Sequence, residues 1–147
     1  MEDRIIQFIK SHKIMTLATC IDSQPYCSVL FYSFEEKNEV LYFLSKPSSR
    51  HSKEIDANGA VSGSIIRGDS NIIKLQGVQF IGTCALVDLS SIAESKRHFL
   101  SAHPYAVLGN DLIWCLRLEW IKMTDNTIGF GKKIVWEKTK MDDSPVI

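Results

Sequence analysis

Residues 40–58, VLYFLSKPSSRHSKEIDAN, decide how this chain is read. The apolar strand VLYFLS runs into Pro47, which ends it because proline brings no backbone N–H to a ladder. Ser48 or Ser49 then suits a helix N-cap, its hydroxyl accepting from first-turn amides, and Asn58-Gly59 closes a short helix. Such a helix end carries partial positive charge, and Ser48, Ser49, Arg50 and His51 add side-chain donors around the free N–H groups. The turn is a candidate phosphate cradle, and its ordinary reading is a capped surface helix with a solvated Arg and His.

Upstream, the polar stretch EEKNE at residues 35–39 leads into this strand from an aromatic-rich run at residues 26–34. The turn Asp22-Ser23-Gln24-Pro25 separates that run from the strand-like MTLATC at residues 15–20. Three strands with such short connections are expected to form an antiparallel meander. Ahead of them, DRIIQFIKSH at residues 3–12 puts Ile5, Phe8 and Ile9 on one helical face with Asp3 as cap, a helix that would lid one end of the sheet.

Downstream, AVSGSIIR at residues 60–67 is a strand, followed by a loop at residues 68–71 and a long strand signal over residues 72–87. Gly77 and Gly82 inside that signal suit bends or the close approach of a ligand. Ser91-Ile92-Ala93-Glu94 has the form of a capping box, and helical spacing continues through Phe99 and Leu100 to Pro104. IWCLRLEWIK at residues 113–122 alternates so that Trp114, Leu116, Leu118 and Trp120 share one face, and residues 133–137 suit an edge beside it.

About six hairpin-linked strands with apolar side chains on both alternations are best satisfied by closure. The expected fold is mainly β with flanking helices, a small antiparallel split β-barrel. A length of 147 residues bounds a single domain, residues 1–147. A barrel this small fills with its own side chains, so a ligand is pushed to the outer wall or a subunit interface. Tyr26, Phe31, Tyr32 and Phe34 exceed what one small core can hold, which points to a homodimer.

Lys plus Arg equals Asp plus Glu at 17 each, leaving no excess charge for a nucleic-acid backbone or an anionic membrane. Apolar runs are strand-sized and the first residues lack a secretion signal, so a cytoplasmic protein is expected. Cys20, Cys27, Cys84 and Cys115 fall in apolar runs without a C-x-x-C pair and read as reduced core cysteines. His12, His98 and His103 read as helix-end or packing residues, and the four histidines show no metal-ligand spacing. No activated nucleophile, Walker loop or carboxylate pair is present, so no catalytic residue is assigned.

Taken together, the helix and MTLATC hairpin, VLYFLSKPSSRH entering a helix, LQGVQFIG, and TDNTIGFGKKIVW at residues 124–136 resemble the split-barrel flavin-binding superfamily of pyridoxamine 5'-phosphate oxidase. More closely, the chain resembles the short bacterial YhbP-type branch. The resemblance implies a dimer with FMN at the subunit interface. It places Ser48, Ser49, Arg50 and His51 in the phosphate turn, Gln79 facing the flavin, and the backbone at Ser28, Val29 and Leu30 beside the isoalloxazine ring. A ring wants flat apolar walls and a phosphomonoester wants Arg plus N–H groups, so the assignment is chemically coherent.

The second strand, Cys27-Ser28-Val29-Leu30-Phe31, lacks the oxidase's basic residues, and its C-terminal Arg-x-His substrate clamp has no counterpart. Pyridoxamine phosphate oxidation is therefore not expected. Gln79 reads equally as a polar residue on an outer strand face. Lys132 and Lys133 either reach a ligand phosphate from the partner subunit or are simply solvated, and Thr124-Asp125-Asn126-Thr127 reads as a turn held by side-chain bonds. Two functions stay open: an FMN-dependent oxidoreductase of unknown substrate, and a non-catalytic module that binds flavin or haem.

Overall fold

Helix α1 (Asp3–Ser11) forms because Ile5, Phe8 and Ile9 recur on one face, and all three are buried. Glu2 rather than Asp3 holds the N-cap position, with Asp3 in the first turn where its charge favours the helix dipole. The computed structural model describes residues 1–68, 70–106, 109 and 111–139; Asp69, in the loop expected at residues 68–71, lies outside them.

Strands β1 (Ile14–Ile21) and β2 (Gln24–Phe31) pair along their whole length. Asp22 and Ser23 between them take positive φ values of 49° and 61°, the turn geometry whose twist matches a two-residue hairpin. The aromatic run does not continue to Phe34 as one strand. Tyr32, 1% exposed, interrupts it: its N–H donates to the Lys13 carbonyl at 2.9 Å and its hydroxyl to the Ile9 carbonyl at 2.8 Å. Strand β3 (Ser33–Glu35) then starts and pairs with β4 (Val40–Ser45).

After β4 come helix α2 (Arg50–Ala57), β5 (Ala60–Ile66), β6 (Gln76–Leu86), helix α3 (Ile92–Ala102), β7 (Leu112–Asp125) and β8 (Lys133–Glu137). All pairings are antiparallel and the sheet order is β2-β1-β5-β6-β7-β4-β3, with β8 also on β7. The sheet curls into a split barrel. Two long signals are broken, of which only the aromatic run yields an extra strand, and with the edge at residues 133–137 the strands number eight where about six were expected. The meander expectation fails at its second step, since β2 and β3 sit at opposite ends of the sheet and Tyr32 carries the chain between them. Residues 72–74 form a 3₁₀ turn, capped by Asn71 accepting from the Ile73 N–H, so the second broken signal starts as strand only at Gln76.

Strand β7 contains the feature that alternation missed. Ile81 pairs with Trp120 but Gly82 pairs with Leu118, so Glu119 is an extra, unpaired residue. Trp114, Leu116 and Leu118 point inward before this bulge, and Ile121, Met123 and Asp125 after it. Trp120 is thereby turned to the outside, away from the face on which periodicity placed it. Gly82 is required there because a Cβ would lie 2.2 Å from the Arg117 carbonyl oxygen.

Inside, Phe43 and Trp114 stack across β4 and β7 with centroids 6.3 Å apart, joined by Leu17, Phe80, Leu116, Leu118 and the α1 side chains. Burying each such side chain is worth about 1.5–3 kcal/mol, so this filled interior holds the fold together and leaves no room for a ligand. Helix α3 covers the outer face over β3, β4 and β7, where His98 Nδ1 lies 3.0 Å from Ser33 Oγ and its ring meets Tyr42 edge-on. Ser91 does not cap α3 with its side chain; a 3₁₀ turn at Leu89–Ser91 leads straight into the helix. Cys84 and Cys115 are buried, but Cys20 is half-buried and Cys27 exposed, so only two of the four cysteines belong to the core.

The rest of the outer face, across β2, β1, β5 and β6, carries Ile14, Val29, Phe31, Ile66 and Ile81 in the open. Val29 is 73% and Phe31 59% exposed. Among the described residues no helix is long and apolar enough to cross a membrane.

Candidate functional site

Where β4 hands over to α2, Ser49 occupies the N-cap position, yet its hydroxyl does not cap the helix. Ser49 Oγ lies 2.8 Å from the Lys46 carbonyl, 2.9 Å from Ser45 Oγ and 2.7 Å from Ser52 Oγ. His51 Nε2 closes the group at 2.5 Å from Ser45 Oγ and 3.2 Å from Ser49 Oγ. His51 is therefore not the exposed donor that the sequence suggested. It turns inward and is buried, and burial pulls its pKa below the ordinary imidazole value while Glu54 pulls weakly the other way. A buried ring among hydroxyls favours the neutral form, which makes this group a support for the turn.

Arg50 points outward. Its guanidinium lies 4.3 Å over the Tyr26 ring, and its Nε donates to Glu54 Oε1 at 2.7 Å. Glu54 also accepts from Thr19 Oγ1 at 2.5 Å; that bond first, and Arg50 second, hold its carboxyl below the usual range. The stack and the ion pair fix the guanidinium plane and leave its terminal nitrogens for a ligand. Ser48, Arg50 and Lys53, with Ile21, Glu54 and Ala57, line a shallow recess of about 420 Å³. One serine hydroxyl, a fixed guanidinium, an ammonium and a helix N-terminus form a donor set that fits a phosphomonoester.

Ser28, Val29 and Leu30 divide by the period of β2. Ser28 and Leu30 pair with Leu17 and Met15, whose side chains fill the interior, while Val29 faces out. Ser28 Oγ is buried and, among the described residues, has no hydrogen-bond partner. Gln79 is exposed on the outer face in one lateral row with Lys122, Ser64, Thr16 and Val29. About 14 Å of sheet, three strand spacings, separates it from Val29. Ser48, Ser49 and Arg50 thus come together at the turn, and Gln79 and Val29 share a wall, but a single chain does not join turn and wall into one pocket.

Lys53, Glu54 and the buried Ser45 and Ser52 complete the turn and were not singled out from sequence, and Tyr26, which joins them, was read there only as surplus aromatic surface. The spacing of Arg50 and Glu54, one helical turn apart, was the available signal for the ion pair. The contact with Tyr26 depends on tertiary packing and left none. Lys132 and Lys133 are exposed, Lys133 at the start of β8 opposite Thr124. Among the described residues no three His, Cys, Asp or Glu side chains converge on a metal position.

Comparison with known proteins is consistent with this architecture. The family model described as pyridoxamine 5'-phosphate oxidase matches residues 1–125. A UPF0306 protein of Photorhabdus laumondii is 29% identical over 134 residues, covering 91% of this chain and 94% of that one. A haem binding protein from Mycobacterium smegmatis superposes with a TM-score of 0.74 at 16% identity, covering 93% of this chain, which spans 59% of that longer protein. A FAD-binding protein from Mesorhizobium loti gives 0.69 at 19% identity, covering 84% of this chain and 94% of that one.

Proposed function

Because the chain belongs to the pyridoxamine 5'-phosphate oxidase family, we propose that it is a cytoplasmic flavoprotein that binds FMN between two copies of itself and acts as an oxidoreductase on a small molecule. The observation that carries this reading is the recess at the β4–α2 turn, where Arg50 is held over the Tyr26 ring beside Ser48 and Lys53. In this reading Arg50, Ser48, Lys53 and the first-turn amides of α2 hold the phosphate tail, and Ser49, its hydroxyl spent on Lys46, Ser45 and Ser52, shapes the turn. His51 acts from beneath, through Ser45 and Ser49, as a positioning residue. The bare wall around Val29 and Gln79 supplies the flat apolar surface a ring requires, with the Gln79 amide as donor or acceptor.

A second copy explains two features together. It covers Val29, Phe31, Ile66 and Ile81, which one chain leaves in water. It also brings its own wall toward the turn, completing a pocket that one chain holds only in halves. Bound FMN supplies electron or hydride transfer, so the protein needs to provide only a dry, oriented site. Pyridoxamine phosphate is not the proposed substrate, since residues 118–147 contain neither Arg nor His for a clamp.

Haem is the second reading, favoured by the fold shared with the mycobacterial haem binding protein. Two of the four histidines argue against it, while His12 and His98 bond through Nδ1 and, among the described residues, leave Nε2 open. His51 Nε2 is engaged with Ser45, and His103 Nε2 lies 2.7 Å from the Tyr32 carbonyl, so each would have to give up a bond to ligate iron. The absorption spectrum of the purified protein separates the two by flavin bands or a Soret band. Arg50→Ala should weaken FMN binding roughly tenfold or more, the scale of one charge-assisted hydrogen bond. Fluorescence titration reads this directly, and unchanged affinity removes the turn from the site.

A further inference from the structure

A second recess, about 520 Å³, runs along one side of α1 and is lined by Arg4, Gln7, Phe8, Ser11, His12, Arg67, Gln76 and Met123. Three of its polar groups, Arg4, Gln76 and Arg67, are held through Asp125 by one connected set of bonds. Asp125, fully buried, accepts from Arg4 Nε at 2.5 Å and from Gln76 Nε2 at 3.2 Å. The other end of the Gln76 amide, Oε1, accepts from Arg67 Nη1 at 3.1 Å. A guanidinium can only donate and an ionised carboxylate can only accept, so chemistry dictates which way this amide points.

Gln76 therefore relays position from the buried carboxylate to Arg67, which among the described residues is bonded only to neutral groups. The arithmetic of charge follows. Among the described residues two guanidiniums line the recess and one carboxylate, spent on Arg4, Gln76 and Thr127, faces them, which leaves one positive charge in excess where Gln76 tethers Arg67. Arg67 keeps Nε and Nη2 for a ligand, Gln7 and His12 stand on the same rim, and the floor is the edge of the apolar core, Phe8 with little exposed surface and Met123 with none. A head of negative charge on a small apolar body matches both features, because the guanidiniums recognise the one and the floor shelters the other.

We propose that this recess is a binding site for a small organic anion, a phosphate or carboxylate carried on an aromatic or aliphatic body, separate from the flavin turn. Gln76 and Asp125 act as positioning residues and Arg67 as the principal anchor. The proposal does not depend on the flavin reading, since none of its residues belongs to the β4–α2 turn or the outer wall.

Calorimetric titration of the full chain with phenyl phosphate tests it, with inorganic phosphate and phenol as partial probes. The expected result is saturable binding of phenyl phosphate, weaker binding of inorganic phosphate, and none of phenol. Arg67→Gln, an exposed change that keeps the fold, should cost roughly tenfold in affinity, the scale of one charge-assisted contact, and leave FMN titration unchanged. Arg50→Ala should leave phenyl phosphate binding unchanged. Backbone amide shifts mapped by NMR should centre on Arg4, Arg67 and Gln76. No saturable binding at millimolar concentration, equal affinity in Arg67→Gln, or shifts centred on residues 48–54 would overturn the site.

Discussion

Asp125 shows how much one side chain organises. It has no exposed surface, yet it is ionised, because Oδ1 accepts from the Thr127 N–H and hydroxyl at 2.9 and 2.6 Å while Oδ2 takes Arg4 and Gln76. Burial alone would raise its pKa; the bonds from Thr127, then Arg4, then Gln76, outweigh burial and bring it from 3.8 down to about 2. A carboxyl with a depressed folded-state pKa stabilises the fold above its unfolded pKa and loses that contribution as pH falls. Asp125→Asn should thus cost about 2 kcal/mol at neutral pH, and the gap from the native chain should narrow between about pH 4 and pH 2. Urea unfolding across that range measures it, and a gap independent of pH would mean that Asp125 matters for its shape and not for its charge. The sequence announced the turn at Thr124-Asp125-Asn126-Thr127 through its short polar side chains. It did not announce Arg4, far away in the chain, because an ion pair between distant residues leaves no periodic trace.

At the scale of elements, what was legible was whatever repeats. The α1 face, the β1–β2 hairpin and the Pro47 stop follow from spacing and from backbone chemistry that acts locally. The break at Tyr32 and the bulge at Glu119 are single-residue events inside apolar runs, and a two-residue period extrapolates straight across both. The bulge needs the backbones of β6 and β7 to approach closely at Gly82, where Leu116 Cδ2 and the Arg117 carbonyl already fill the space of a Cβ. Gly82→Ala should therefore cost about 1–3 kcal/mol, the range of core overpacking. Gly77→Ala, whose Cβ would meet the Ile65 carbonyl at an ordinary 3.5 Å, should cost far less. Equal shifts in the urea midpoint of the two variants would remove the close-approach account. His51 illustrates the same limit in the candidate site: its place beside Arg50 was plain, but the side to which a helical turn directs it depends on which face packs inward.

The whole molecule is asymmetric in its covering. Helix α3 protects the sheet over β3, β4 and β7, while among the described residues Val29, Phe31 and Ile81 on the other half stay exposed, Phe31 with only the edge of His103 against it. Val29→Glu places a charge where the proposed dimer seam would have to desolvate it, at a position already 73% open in the single chain. The variant should keep its circular dichroism, run as a monomer in size-exclusion chromatography with light scattering, and lose FMN affinity along with dimerisation. A native chain that is itself monomeric, or a Val29→Glu dimer that still binds FMN, would move the cofactor away from that face.

The passage of the chain through Tyr32 has a mechanical side. Strands β2 and β3 end opposite margins of the same sheet, and one residue, pinned by its own amide and hydroxyl, ties those margins together. Neither margin can be peeled away from its end as a loose ribbon, since pulling on one drags on the other. Fraying is thereby directed to helix ends, turns and the edge strand β8, which pairs only with β7, and the interior behind the tied margins opens as a unit.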